Sequence, residues 1–158
     1  MRIIVMSDSH GNGAVLRKII DKNRNADIFV HLGDGEREFT ETAKLYENID
    51  FRFVKGNNDY ASAAPIFQII DTPKARVFLT HGNRYGVYSG LETLYLTAKE
   101  NDCNVALFGH THVPLEDYED GVYFLNPGSC SLPRGGKGPS YGFVDITKAG
   151  IVTGVVYL

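Results

Sequence analysis

The chain has little cysteine. Cys103 and Cys130 are the only two in 158 residues, and they do not form a Cys-x-x-Cys spacing. That argues against a disulfide framework or a redox pair and is consistent with a reduced, cytoplasmic compartment. Long hydrophobic runs are missing too. Nothing approaches the ~20 apolar residues of a membrane span. The segment Met1–Met6 meets Asp8 before it reaches the length of a signal-peptide core. Nor is positive charge in excess: the net charge is -3, with no basic run. Stable binding to nucleic acid or to an anionic membrane is therefore not expected, although a local basic cleft is compatible with that balance. There is no internal repeat and no low-complexity linker. The Gly- and Pro-rich stretch Ser131–Pro139 reads as a loop, because strand-like sequence resumes after it. The length suits one domain, residues 1–158, large enough to bury a core unaided.

What is present is a regular alternation. Ile3–Met6 and Ile28–Val30 are short apolar runs of the kind buried on both faces of a parallel sheet, and Phe51–Val54 reads as a third strand. Between them, residues 13–24 and 37–47 read as helices, the first with Val15, Leu16, Ile19 and Ile20 on one face. This order implies parallel pairing with right-handed crossovers. The second half is richer in strands. Phe67–Ile70 and Arg76–Leu79 form an expected pair, and a helix over 89–101 presents Leu91, Leu94, Tyr95 and Ala98. Val105–Phe108 follows, then strands near 113–118, 121–125, 140–146 and 151–157, with a hairpin signal at Glu119-Asp120-Gly121. So many strands need two sheets with helices outside: an α/β fold.

Five apolar strands run directly into metal-ligand types: Asp8-x-His10, Gly33-Asp34, Gly56-Asn57, His81-Gly82 and Gly109-His110-x-His112. In open α/β sheets the carboxyl ends of strands gather ligands at one edge. Asp and His suit Mn, Fe, Zn or Ni. Seven donors exceed what one ion takes. Two ions sharing a bridging carboxylate, with Asp34 the natural bridge, would use all of them. Such pairs lie ~3.5–4 Å apart and clamp both the attacking and the leaving oxygen at phosphorus. Four of the five histidines occupy these positions, so chance placement of turn residues is a poor account of them.

This ordered set resembles the calcineurin-like metallophosphoesterases. The short length, with Asn126-Pro127-Gly128-Ser129 and Leu132-Pro133-Arg134, is similar to the small YfcE-type phosphodiesterase subgroup. The resemblance runs from Arg2 to about Tyr141. It implies a four-layer α/β/β/α sandwich of two mixed sheets. It also implies one divalent ion on Asp8, His10, Asp34 and His112, and another on Asp34, Asn57, His81 and His110. Mn is the expected metal, with Ni, Fe, Zn and Mg as alternatives. A hydroxide between the metals would attack a small phosphoester, with Asn57, Asn58 and His110 nearest the chemistry. A homodimer or larger homo-oligomer is a further expectation from the subgroup.

Two positions depart from the family pattern. Many larger members carry His where this chain has Asn58, and an amide cannot deliver a proton to a leaving group. The subgroup often reads His-Gly-His where this chain has His81-Gly82-Asn83. His31, the remaining histidine, reads as packed or as supporting a ligand. Asp59 reads as an anchor of the third loop, and Asn126 and Ser129 as residues holding a turn. Arg134 divides evenly between a phosphate contact and a solvated loop position. Tyr85, Tyr88 and Tyr95 read as core or surface packing. The alternatives to a phosphodiesterase are a phosphomonoesterase or nucleotide phosphatase, a nuclease acting on short oligonucleotides, and a non-catalytic scaffold of the retromer-subunit type. The scaffold reading predicts lost ligands, and none is lost.

Overall fold

The computed structural model describes residues 1–158. Strands β1 (Arg2–Met6), β2 (Ile28–His31) and β3 (Asp50–Phe53) alternate with helices α1 (Gly13–Lys22) and α2 (Glu36–Ala43). Then come β4 (Phe67–Asp71), β5 (Arg76–Thr80), α3 (Glu92–Glu100), β6 (Val105–Leu107), β7 (Leu115–Glu119), β8 (Val122–Asn126), β9 (Ser140–Thr147) and β10 (Gly150–Tyr157). They form two mixed five-stranded sheets, ordered β10-β9-β1-β2-β3 and β4-β5-β6-β8-β7. The first three strands pair in parallel, as the alternation requires.

Side-chain alternation along each strand builds the layers. In β1, Ile3 and Val5 point inward with Val30, Val77, Leu79, Val105 and Leu107, filling the space between the sheets. Ile4 and Met6 point outward onto Leu16, Ile19 and Ile20 of α1 and Phe39 of α2. On the far side, Phe78, Ala106 and Phe124 pack against Leu94 and Ala98 of α3. Strands covered on both faces read as unbroken apolar runs, which is why they were legible. The architecture is the expected α/β/β/α sandwich.

The helices are shorter than their apolar patterns. α1 closes at Lys22, where the Asn23 N–H bonds Ile20 O. α2 stops at Ala43 rather than 47, because Leu45 and Tyr46 turn back onto Thr42 and Ala43 with tighter bonds. α3 starts at Glu92 instead of 89, and a short 3-10 turn (Asn83–Tyr85) that no pattern announced precedes it. The β7–β8 hairpin turns at Asp120 and Gly121, both at positive φ, as that dipeptide signals.

Candidate metal centre

The carboxyl ends of β1, β2, β5 and β6, and the loop after β3, meet at one edge of the sandwich. Backbone bonds lace the loops together: Asp8 N to Gly33 O at 3.0 Å, His10 N to Asp34 O at 3.1 Å, and Gly109 N to His81 O at 2.9 Å. Close approach demands glycine here. A Cβ on Gly56 would overlap the Asp34 carboxylate, and one on Gly109 would meet Ser7 and Asp8. Five of the seven expected ligands hold positive φ without being glycine: Asp8, His10, Asp34, His110 and His112. That conformation costs roughly 1–2 kcal/mol per residue. The ligand loops are therefore strained, held by the packed strands beneath.

All seven residues come together. Asp8, Asp34, His81 and His112 are buried, His10 and His110 half-buried, and Asn57 exposed. Asp8 Oδ2 accepts from Ser7 Oγ and from the His110 N–H. Asp8 Oδ1 is buried and accepts no hydrogen bond. It faces His112 Nε2 at 3.2 Å and His10 Nε2 at 3.9 Å. Asp34 Oδ2 lies between the two groups, 4.0 Å from His10 Nε2 and 3.6 Å from His81 Nε2. Asp8, His10 and His112 make one cluster with cation-binding spacing; Asp8, Asp34 and His81 make another. Asp8 thus belongs to both clusters, whereas the sequence pattern gave the shared place to Asp34 alone.

The tautomers are dictated by carbonyl oxygens. His81 Nδ1 donates to Leu32 O at 2.7 Å and His112 Nδ1 to Leu132 O at 2.6 Å. In the neutral rings each Nε2 then turns its lone pair inward, the arrangement typical of metal-binding imidazoles. His81 Nε2 stands 3.2 Å from His110 Nδ1 and 3.0 Å from Asn57 Oδ1. Imidazole lone pairs, carboxylate oxygens and one orphaned buried oxygen converge on the same space. This donor set fits divalent cations.

Titration follows the same geometry. Asp8, which a protonated His112 ring would meet through Nε2, holds the His112 pKa above its ordinary value, with burial opposing. Burial, aided by the nearby His81, holds His110 below it. Burial would raise the Asp8 carboxyl, but His112, His81 and Ser7 outweigh it and the net direction is down.

Supporting residues surround the centre. Asp59 anchors more than its own loop. Its Oδ2 accepts from Asp34 N and Gly56 N, and its Oδ1 from Gly35 N and Glu36 N, all between 2.7 and 3.0 Å. It therefore joins the second and third ligand loops and caps α2. Asn58 donates through its side chain to Asp34 Oδ2 and through its backbone to Oδ1. His31 is packed, as the sequence suggested. Because its Nδ1 accepts from Gly33 N–H, its Nε2 donates to Ser9 Oγ, which donates to Glu38. Ser9 and Glu38 were not singled out from sequence; a polar residue on the buried face of α2 was the available signal. Ser129 Oγ donates to Asp8 O, and Asn126 Nδ2 to Gly109 O, so both hold the site's turns.

Tyr88 is a surface-packing residue beside the cluster. Its exposed ring packs at a steep angle against His110, with centroids 4.9 Å apart, and its hydroxyl accepts from Arg134 Nη1 at 2.7 Å. Tyr85 does pack in the core, against Phe78, and Tyr95 lies on α3, bonded to Asp120.

A two-sheet sandwich with this cluster at its strand ends defines a metallophosphoesterase-type fold. The chain belongs to the calcineurin-like phosphoesterase superfamily, whose domain model matches residues 1–149. It is 31% identical over 169 residues to phosphodiesterase YfcE of Escherichia coli, covering 92% of this chain and 88% of that one. It is 30% identical over 147 residues to the probable metallophosphoesterase YsnB of Bacillus subtilis, covering 92% and 85%. A crystal structure of a predicted phosphoesterase from Streptococcus pneumoniae superposes with a TM-score of 0.84 at 29% identity, covering 99% of this chain and 88% of the other.

Proposed function

We propose that this protein hydrolyses small phosphodiesters at a site holding two divalent cations. The observation that carries the reading is the pair of clusters that share Asp8, one with His10 and His112 and one with Asp34 and His81, together with the orphaned Asp8 Oδ1. Its relatives include a named phosphodiesterase and a named metallophosphoesterase. Divalent cations bound there would polarise the phosphoryl group and lower the pKa of an attacking water. Asp8, His10 and His112 would hold one cation, and His81, His110 and Asn57 the other, with Asp34 facing both. The chain's own residues supply the rest. Carbonyls at Leu32 and Leu132 fix the imidazole tautomers, and Asp59 aims the Asp34 loop. Asn57, Asn58 and His110, at the open side, would contact and orient phosphoryl oxygens.

Mn is the proposed preference among Mn, Ni, Fe, Zn and Mg, on the hard-to-borderline donor set. The proposed setting is the cytoplasm, where Cys103 and Cys130, both buried free thiols, stay reduced. No helix of the structure is long and apolar enough to cross a membrane. The proposed assembly is a homodimer or larger, which light scattering would measure.

The test strips the protein of metal, reloads it with each cation in turn, and counts bound ions by mass spectrometry alongside turnover of bis(p-nitrophenyl) phosphate and p-nitrophenyl phosphate. Two ions per chain with the diester preferred supports the reading. A preference for the monoester moves it to a phosphomonoesterase. Two bound ions with no turnover of any ester would revive the scaffold.

A further inference from the structure

Two clefts flank the metal-ligand cluster, and their charges are opposite. The cleft on the His10 side, of about 230 Å³, is lined by Asp34, Glu36, Glu38 and Asp59. Its one guanidinium, Arg37, is paired with Glu41. The cleft on the Asn57 side, of about 200 Å³, is lined by Lys55, Asn57, Tyr60, Asn83 and Arg84, with Asp59 its only carboxylate. Asp59 borders both clefts and so does not distinguish them; its oxygens accept four backbone N–H groups of the surrounding loops. Lys55 Nζ gives one hydrogen to Ser62 O at 3.2 Å and keeps two. Arg84 is exposed beside this cleft, on the turn that directly follows the ligand His81. A chain of net charge -3 thus places two available cations in one small cleft that shares Asn57 with the metal cluster.

From this asymmetry we infer that the Lys55–Arg84 cleft is a subsite for a second phosphate, and that the preferred substrates are phosphodiesters carrying one. The inference rests on the diesterase reading and extends it. An anion extending from the scissile phosphate is repelled by the acidic His10 side and attracted toward Arg84. The cleft is smaller than the roughly 300 Å³ at which pockets hold a whole drug-sized ligand. It therefore suits one group of a substrate whose reacting phosphate sits at the ligand cluster. Arg84 offers a planar fork matched to phosphate oxygens, and Lys55 a point charge. Asn83 adds amide donors.

Two esters that differ by one phosphate test this in the full chain: thymidine 5′-(p-nitrophenyl phosphate), and the same ester bearing a 3′-phosphate. The metal-loaded protein should prefer the second. Arg84→Gln should cut the ratio of the two kcat/KM values about tenfold, and Arg84→Lys should retain part of it. Binding is read separately on metal-free protein. Thymidine 3′,5′-bisphosphate should shift the amide resonances of Lys55, Asn57 and Arg84, and its Kd should weaken about tenfold in Arg84→Gln. Hydrolysis of both esters with a ratio unmoved by Arg84→Gln overturns the subsite and leaves the diesterase standing. Arg84-dependent binding with no hydrolysis of either ester keeps the subsite and overturns the diesterase. Absence of both overturns both.

Discussion

Asp59 Oδ2 accepts the backbone N–H of Asp34 at 2.7 Å, so one carboxylate aims another. With its second oxygen on Gly35 and Glu36, Asp59 ties two ligand loops and a helix start to one side chain. Burial opposes its ionisation, yet the N–H donors prevail and hold its pKa below the usual carboxylate value. Asp59→Asn puts an NH2 donor where an acceptor is required. Leaving buried N–H groups unsatisfied costs about 1–3 kcal/mol. The expected outcome is a stability loss of about 2 kcal/mol in urea melts, with a weaker metal titration. Unchanged metal affinity would show that the Asp34 loop holds its own shape.

Gly56 tests close approach rather than hydrogen bonding. A Cβ there would overlap Asp34 Oδ1 and lie 2.6 Å from Asp34 N, a backbone atom that cannot yield cheaply. Gly56→Ala should lose at least about 2 kcal/mol and release bound metal. Gly138→Ala is the control, since nothing lies within 4 Å of its Cβ position. It should stay within about 0.5 kcal/mol of the parent.

His31 supplies a pH signature. Burial drives its pKa down from 6.5 to about 4, only partly offset by Asp8, Glu38 and Asp59. The folded protein holds the ring neutral, while the unfolded chain takes up a proton below about pH 6.5. The stability tied to the neutral ring is therefore complete above pH 6.5. It is lost as pH falls from 6.5 to about 4. At 1.36 kcal/mol per unit the whole effect is roughly 3 kcal/mol. Denaturant melts of metal-free parent and His31→Gln across that window should show the parent losing this much more than the variant. Parallel pH profiles would contradict a neutral buried imidazole.

How much of this was legible follows from what each feature depends on. Strands such as Ile3–Met6 and Val105–Leu107 announced themselves because both faces are buried, and the ligand types stood at their ends. The Asp8/His112 and Asp34/His81 pairings were less legible, since they depend on how far each loop curls. The positive φ of Asp8, His10, Asp34, His110 and His112 carries no mark in the residue types. The partner of Tyr88 was not legible, because its contact with His110 spans 22 positions and a turn. Helix ends at Ala43 and Glu92 were missed because local bonding, not the apolar stripe, ends a helix.

Asn58 bears on how the leaving group departs. Its backbone and side-chain N–H groups both point at Asp34, and its side-chain oxygen lies 3.4 Å from Tyr60 Oη. A primary amide in that position can stabilise charge but cannot hand over a proton near neutral pH. Rates should therefore fall steeply as the leaving group becomes more basic, from p-nitrophenyl through phenyl to alkyl phosphodiesters. Asn58→His adds a proton donor at the open side of the cluster. General-acid assistance contributes about 10²–10⁴-fold where it operates, so this variant should flatten the slope chiefly by speeding the alkyl ester, even if it gives up one bond to Asp34. A flat slope in the parent protein would mean that another group already protonates the leaving oxygen. His110, half-buried at the open side of the cluster, is then the residue to mutate next.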